Sequence, residues 1–182
     1  MNWIALFIAT TFFTGFLPGK LFGKPGAGGG LIASLVSLFF QIWFIGKESS
    51  VIIMILAVFI SFLLGIITVD RAEKFILLKW GSRRRHTGEI ADHDLNEANI
   101  DEVHGQLVAG LPVFLFATPE FYYQVFLLVL SFVLFRFFDV LKPFPINKVE
   151  EKLKGSWGVM GDDTAAGLIS ALIILVIITV LN

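Results

Sequence analysis

The sequence predicts an all-α fold, a polytopic bundle of membrane helices with five or six apolar segments. Of the 182 residues, 56% are hydrophobic and 16% are charged, whereas soluble domains carry about 25% charged residues. The 20 phenylalanines favour a lipid-facing surface over a soluble core. A net charge of -1 gives no indication of nucleic-acid binding, and the lack of cysteine excludes disulfides, thiolate zinc sites and a cysteine nucleophile.

The apolar segments differ in length. In chain order they are Trp3–Leu17, Ala27–Ile45, Val51–Val69, Gly105–Thr118, Phe121–Leu141 and Thr164–Leu181. A helix needs about 20 apolar residues to cross the hydrocarbon core. The third, fifth and sixth segments meet that length, and the second does if its glycines are helical. The first and fourth are short, and Gly110 and Pro112 predict that the fourth is a half-span or a broken helix.

The first segment resembles a signal peptide only in its apolar run. No basic residue precedes it and no convincing cleavage site follows. We therefore expect this segment to be retained.

Basic residues gather in alternate connections between the apolar segments. Twelve of the 14 lysines and arginines lie in the connections 18–26, 70–104 and 142–163. Positive charge accumulates in cytoplasmic loops. The pattern predicts that these three connections are cytoplasmic and that both chain ends lie outside if all six segments cross. We expect one membrane-embedded domain over residues 1–182, with 70–104 as a cytoplasmic loop.

The connection 70–104 has two parts. Residues 71–80 are typical of a short amphipathic continuation of the third helix along the interface. Residues 81–100 are polar and include the run Arg83-Arg84-Arg85. Such a run is either a topology signal beside anionic lipid or a site that captures lipid phosphate.

Four polar clusters lie at the predicted cytoplasmic end. The first, residues 23–30, contains Lys24, Gly26 and Gly28 just before a helix. Its glycines and the helix N-terminus favour an anion, although a flexible connector has the same composition. The second cluster contains Asp101 and Glu102, which either cap a helix or supply the oxygen ligands that Mg²⁺ prefers.

The third and fourth clusters flank the last connection. Arg136, Asp139 and Lys142 are three residues apart, so they share about a third of a helix circumference. They form either a snorkelling ion pair or a site for an anion. Asp162 and Asp163 are adjacent before the last apolar segment. They either cap that helix or bind a cation, because neighbouring carboxylates repel each other near an apolar bilayer.

Together the clusters match a metal-bridged phosphate. Carboxylates hold magnesium, while arginine and lysine bind phosphoryl oxygens. The three histidines, at positions 86, 93 and 104, lack zinc spacing, and only His104 lies inside a cluster.

Three motifs resemble signatures of the phosphatidylglycerophosphatase A family. They are Asp101-Glu102-x-x-Gly105, Phe135-Arg136-x-x-Asp139-x-x-Lys142-Pro143-x-Pro145-Ile146 and Gly158-x-x-x-Asp162-Asp163-x-x-Ala166-Gly167. Pro25-Gly26 and the glycines after it are similar to the family's Pro-Gly-Thr-x-Gly motif. Ala27 stands where the family usually has threonine, and His104 where it usually has an apolar residue.

The resemblance implies a bacterial inner-membrane enzyme with a cytoplasmic active site. Such an enzyme is Mg²⁺-dependent and hydrolyses phosphatidylglycerophosphate to phosphatidylglycerol and phosphate in phospholipid biosynthesis. Carried over to this chain, the metal-binding residues are Asp101, Glu102, Asp139, Asp162 and Asp163. All of these except Glu102 are also expected to be catalytic, with either metal-activated water or an aspartate attacking phosphorus.

The expected phosphate-binding residues combine basic side chains with backbone groups. They are Arg136, Lys142, Lys24, Gly26 and Gly28. The membrane and a phospholipid substrate are the partners that the resemblance implies.

Other functions remain open at this stage. The sequence lacks the Asp-Gly-x-x-Ala-Arg pattern of the CDP-alcohol phosphotransferases and the motifs of the histidine-dependent lipid phosphatases. In a small proton- or cation-coupled transporter, Arg136 and Asp139 would be relay residues near the middle of the membrane. A non-catalytic membrane scaffold would not require seven convergent polar residues.

Overall fold

The computed structural model describes residues 2–17, 28–81, 83–84, 90–91, 95, 97–117 and 120–181. Their helices are α1 (Asn2–Ala9), a 3₁₀ turn (Thr14–Phe16), α2 (Gly29–Phe44), α3 (Ser50–Trp80), α4 (Ile100–Phe116), α5 (Phe121–Leu141), α6 (Ile146–Lys152) and α7 (Ser156–Leu181). Between α3 and α4, β1 (Arg83–Arg84) pairs antiparallel with β2 (Ile90–Ala91). The predicted helical bundle is confirmed.

Three helices within the described residues are long and apolar enough to cross a membrane: α3, α5 and α7. These correspond to the third, fifth and sixth segments of the sequence prediction. α3 has 31 residues and extends past the predicted Val69 to Trp80, so it is about 46 Å long. The predicted continuation of this helix over residues 71–80 is confirmed.

The first apolar segment is broken rather than a single span. α1 has only 8 residues, about 12 Å of helix against a hydrocarbon core of about 30 Å. Thr11, Phe12 and Phe13 follow with positive φ angles of 45°, 59° and 66°. A run of left-handed residues cannot continue a right-handed helix, so the chain turns back.

The two ends of this N-terminal hairpin (residues 2–17) lie together beside the end of α3. The Trp3 ring is 6.4 Å from the Trp80 ring, and the Phe16 ring is 5.5 Å from the same Trp80 ring. The tip reaches the chain before α4, where the Asn99 backbone N–H donates to the Ala9 carbonyl at 2.8 Å. Both ends of the hairpin therefore lie at the same end of the bundle.

The fourth segment forms the centre of the bundle. α4 packs against α2, α3, α5 and α7. Its 17 residues continue through Pro112, so of the two predicted alternatives the broken helix is excluded and the short helix remains. α4 also begins earlier than predicted, at Ile100, which places Asp101 and Glu102 in its first turn.

Glycines bring α4 and α7 unusually close. A Cβ atom on Gly167 would lie 2.6 Å from the Gly105 carbonyl oxygen, and one on Gly105 would lie 3.0 Å from the Asp163 carbonyl oxygen. Small residues allow such close helix packing. The acidic residues of the two helices are thereby drawn to the same end of the interface.

Candidate metal and phosphate site

Three carboxylates from two helices form a group that can hold a metal ion. Asp101 and Glu102 come from the first turn of α4, and Asp163 comes from α7. One ligand oxygen from each residue lies within 4.8 Å of the others. Asp101 is 7% exposed and Asp163 is 3% exposed. The three carboxylates are therefore crowded together, with Asp101 and Asp163 buried and Glu102 partly exposed.

The donor set suits a hard divalent cation. Within the described part of the chain, Glu102 Oε2 and Asp163 Oδ2 are buried and have no hydrogen-bond partner. Buried carboxylate oxygens normally have a partner, because losing water without replacement costs several kcal/mol. Mg²⁺ and Ca²⁺ both prefer oxygen ligands. A cation among these three side chains would satisfy the unpaired oxygens and offset their repulsion.

Asp162 and Asp163 lie within α7, whereas the sequence suggested that they precede the last helix. Because α7 begins at Ser156, neither residue caps it. Asp162 instead forms an ion pair with Lys142, and its Oδ1 accepts the Asp163 backbone N–H at 3.0 Å. Lys142 follows the last residue of α5 in a left-handed conformation, with φ 42° and ψ 53°. This conformation ends the helix before Pro143.

Arg136 and Asp139 form the other charged pair. Arg136 Nη1 lies 2.7 Å from Asp139 Oδ2, and the side chains are 21% and 13% exposed. Asp139 interacts electrostatically with Glu102 and Asp163. The pair therefore borders the acidic group, with the guanidinium partly open to solvent.

The structure brings together seven of the residues singled out in the sequence. They are Asp101, Glu102, Arg136, Asp139, Lys142, Asp162 and Asp163. All lie at the end of the bundle where α4 begins and α5 ends. This single location contrasts with the midplane relay expected of a transporter.

The N-terminal glycine cluster is only partly described. Lys24 and Gly26 lie outside the described residues. Gly28 is the exposed N-cap of α2, with a φ of 84° that favours glycine, and an added Cβ would meet nothing within 4 Å. Its expected contact with phosphate stays a prediction.

His104 belongs to a different contact. Its side chain is 2% exposed, with Nδ1 lying 3.0 Å from Ser61 Oγ and the ring 5.3 Å from the Phe62 ring. These partners belong to α3. His104 therefore helps to join α4 to α3.

The structure adds two residues of α2 to the site. An added Cβ on Gly30 would lie 2.0 Å from Glu102 Oε1. Ser34 Oγ accepts a hydrogen bond from Arg136 Nη1 at 3.4 Å. Gly30 is the last residue of the first predicted cluster, whereas Ser34 was missed because α2 also contains other polar residues, Ser37 and Gln41.

The fold and site define a helical membrane protein with buried carboxylates beside an arginine and a lysine. The profile of the Phosphatidylglycerophosphatase A family matches residues 7–178. The chain therefore belongs to the phosphatidylglycerophosphatase A family, which is named for a phosphoric monoester hydrolase.

Curated relatives are similar over different lengths. A Phosphatidylglycerophosphatase A of Haemophilus influenzae is 35% identical over 98 residues, 52% of this chain and 53% of that protein. The match thus spans about half the length of that relative. The Escherichia coli protein of the same name is 38% identical over 72 residues, 37% of this chain and 41% of its own.

A longer match is to a Bacteroides thetaiotaomicron protein. It carries the name "Putative phosphatidylinositol-3-phosphatase" and is 28% identical over 176 residues, 96% of this chain and 94% of that protein. No solved structure matches this chain significantly.

Proposed function

We propose that this protein is a Mg²⁺-dependent lipid phosphatase that hydrolyses phosphatidylglycerophosphate to phosphatidylglycerol and phosphate in phospholipid biosynthesis. The observation that carries the proposal is the convergence of Asp101, Glu102 and Asp163 beside Arg136 and Lys142. Family membership and the names of two relatives support the same substrate.

The cationic side chains are suited to hold the phosphate. Arg136 presents a planar fork of N–H donors that fits phosphoryl oxygens, and Lys142 adds a point charge. Both are more exposed than the carboxylates with which they pair, at 21% for Arg136 and 27% for Lys142. A phosphate entering from solvent would therefore meet the two cations before the buried acidic group.

The acidic group is suited to hold the metal. Asp101, Glu102 and Asp163 would be its ligands, with Asp139 and Asp162 nearby on α5 and α7. When bound, Mg²⁺ neutralises phosphoryl charge and stabilises charge that develops on the leaving oxygen. Asp139 and Asp162 orient Arg136 and Lys142 through their ion pairs.

The proposed location is the bacterial inner membrane, with the site facing the cytoplasm. The basic connections predict that orientation by the positive-inside rule. The headgroup of a newly made phospholipid in the inner leaflet would then reach the site without leaving the membrane surface.

A phosphate-release assay tests this function. Purified protein in phospholipid vesicles is given phosphatidylglycerophosphate, phosphatidic acid or phosphatidylinositol 3-phosphate, each with Mg²⁺ or with chelator. We expect Mg²⁺-dependent release that is fastest with phosphatidylglycerophosphate. The third lipid is included because the B. thetaiotaomicron relative matches nearly the whole chain. A preference for it would assign the site to phosphoinositides instead.

Substitution of the site residues provides the matched test. We expect Asp163→Asn to lower turnover at least about 100-fold, since charge stabilisation by one bound group is worth several kcal/mol. Glu48→Gln, an exposed residue before α3, is the control. Equal turnover in wild type and Asp163→Asn would remove that residue from the mechanism. Vesicles that move protons or cations without releasing phosphate would favour the transporter.

A further inference from the structure

Helix α2 contacts both halves of the site through two small residues. Gly30 and Ser34 are buried and lie one helical turn apart on the face of α2 that meets α4 and α5. Gly30 lies against Glu102, a member of the acidic group. Ser34 lies against Arg136, the arginine at its border.

Gly30 leaves room for one particular placement of the Glu102 side chain. A Cβ atom on Gly30 would stand 2.0 Å from Glu102 Oε1 and 2.7 Å from its carboxyl carbon. Real Cβ contacts are never that short, so any larger residue would push the carboxylate away. The absence of a side chain at position 30 therefore permits the position that the carboxylate takes relative to Asp101 and Asp163.

Ser34 completes a chain of hydrogen bonds to the arginine. Its hydroxyl donates to the Gly30 carbonyl at 2.8 Å, and Oγ accepts from Arg136 Nη1 at 3.4 Å. A hydroxyl has one hydrogen and two lone pairs, so donating to Gly30 directs a lone pair to the guanidinium. Arg136 is thus held between Ser34 on α2 and Asp139 on its own helix.

We propose that Gly30 and Ser34 are positioning residues, with Gly30 placing Glu102 for the metal and Ser34 directing Arg136 toward the phosphate. This inference rests on the proposed function, whose site it extends to a third helix. Since the two contacts are separate, substitutions at the two positions should affect different ligands. A merely structural role for α2 would affect both ligands together.

The test uses two variants and two matched controls. Gly30→Ala and Ser34→Ala are compared with Gly110→Ala and Ser37→Ala. A Cβ on Gly110 would overlap Gln41 Nε2 at 2.3 Å, also between α2 and α4. Ser37 is 2% exposed and donates to the Val103 carbonyl at 3.2 Å. Neither control contacts a carboxylate or cation of the site.

Two binding measurements are made without turnover. Mn²⁺ binding is followed by electron paramagnetic resonance, and inorganic phosphate binding by ³¹P line broadening at saturating Mn²⁺. We expect Gly30→Ala to weaken Mn²⁺ binding about 10-fold or more, the usual effect of disturbing groups behind a metal ligand. Ser34→Ala should weaken phosphate binding about 5- to 10-fold, the usual net value of about 1 kcal/mol for one hydrogen bond, and leave Mn²⁺ binding unchanged.

Each outcome decides the proposal. Selective losses in the two variants, with both controls like wild type, support it. Equal losses of both ligands, or equal effects of the controls, overturn it, and so does a wild type that binds neither Mn²⁺ nor phosphate. If Gly30→Ala does not fold, the comparison of phosphate and Mn²⁺ binding between Ser34→Ala and Ser37→Ala decides the proposal on its own. A wild type that binds both ligands but releases no phosphate from any lipid refutes the proposed function and leaves these positioning roles testable.

Discussion

At the scale of single residues, the acidic group imposes a cost on the folded protein when no cation is bound. Asp101, Glu102 and Asp163 place ligand oxygens within 4.8 Å of one another. Like charges at that distance repel strongly where little water screens them. The same arrangement that could hold a metal ion therefore destabilises the fold without one.

Removing one of these charges should stabilise the metal-free protein. We expect Asp163→Asn to raise the melting temperature in chelator by about 2 to 4 °C, which corresponds to about 1 kcal/mol for a chain of this size. Mg²⁺ should raise the melting temperature of wild type and have little effect on the variant. The fluorescence of the 4 tryptophans reports unfolding. Glu48→Gln should behave like wild type, and an equal Mg²⁺ shift in Asp163→Asn would contradict the assigned ligand.

Replacing the lysine of the Lys142–Asp162 ion pair should destabilise the protein more than replacing the aspartate. The Asp162 side chain is 6% exposed and that of Lys142 is 27% exposed. Lys142→Met leaves a buried carboxylate without its cation, whereas Asp162→Asn leaves a lysine that can turn toward water. We expect Lys142→Met to cost roughly 1 to 3 kcal/mol, below the about 3 to 5 kcal/mol of a fully buried pair.

Comparing the two unfolding midpoints in chelator checks this asymmetry. Lys154→Met, an exposed lysine after α6, is the control for loss of a basic side chain. If Asp162→Asn lowered the unfolding free energy more than Lys142→Met, the buried carboxylate would not be the residue that depends on the pair, and the expectation would be wrong.

Residue types and spacing were sufficient to predict most of the charged site. Buried carboxylates and arginine are rare in apolar helices, so Asp101, Arg136, Asp139 and Asp163 stand out in the sequence. Ser34 does not, and Gly30 stands out only as the end of a glycine run, because small residues are common in membrane helices for packing alone. Their contacts depend on the rotation of α2 against α4 and α5, which the sequence does not specify.

At the scale of elements, the start of α7 is held by a residue of α3. Asp70 accepts the Ser156 backbone N–H at 2.6 Å. This is a helix cap supplied from 86 positions away in the chain. The contact links the helix that carries Asp162 and Asp163 to the C-terminal part of α3.

Gly155 is needed for that cap. Its φ is +58°, and an added Cβ would lie 2.8 Å from Asp70 Oδ1. Gly46 has a similar φ of +73° with nothing within 4 Å of an added Cβ. We expect Gly46→Ala to cost about 1 kcal/mol from backbone strain alone. Gly155→Ala should cost about 1 kcal/mol more, because the cap is also displaced.

Thermal unfolding of the two alanine variants separates these effects. Asp70→Ala should lower the free energy of unfolding by about as much as Gly155→Ala does beyond Gly46→Ala. In the double variant Asp70→Ala with Gly155→Ala, the loss of the cap should be counted only once. Equal destabilisation by Gly46→Ala and Gly155→Ala would show that the cap contributes nothing.

Element boundaries were predicted well only where composition changes sharply. Leu141, before Lys142 and Pro143, ends α5 as expected. The polar starts of α4 and α7 were assigned to connections because apolar periodicity ends there, yet tertiary packing makes both helical. The turn at Thr11–Phe13 was missed because its residues carry no glycine or proline signal.

At the scale of the whole molecule, the N-terminal hairpin changes the expected topology. Six crossing segments would put residue 2 on the opposite side from the site. The hairpin instead returns to Trp80, and its tip contacts Asn99 just before α4. We therefore expect residue 2 and the acidic group to share the cytoplasmic side, with the short connections 45–49 and 117–120 outside.

Because the chain has no cysteine, single-cysteine variants can map this arrangement without background. The variants Asn2→Cys, Glu48→Cys, Glu120→Cys and Lys152→Cys place one thiol at an exposed residue of each region. In intact cells with a permeable outer membrane, an impermeant maleimide should label positions 48 and 120 and spare positions 2 and 152. Lysing the cells should make all four reactive, which controls for access. Labelling of position 2 in intact cells would restore the six-span topology, and labelling of position 152 would place the site outside.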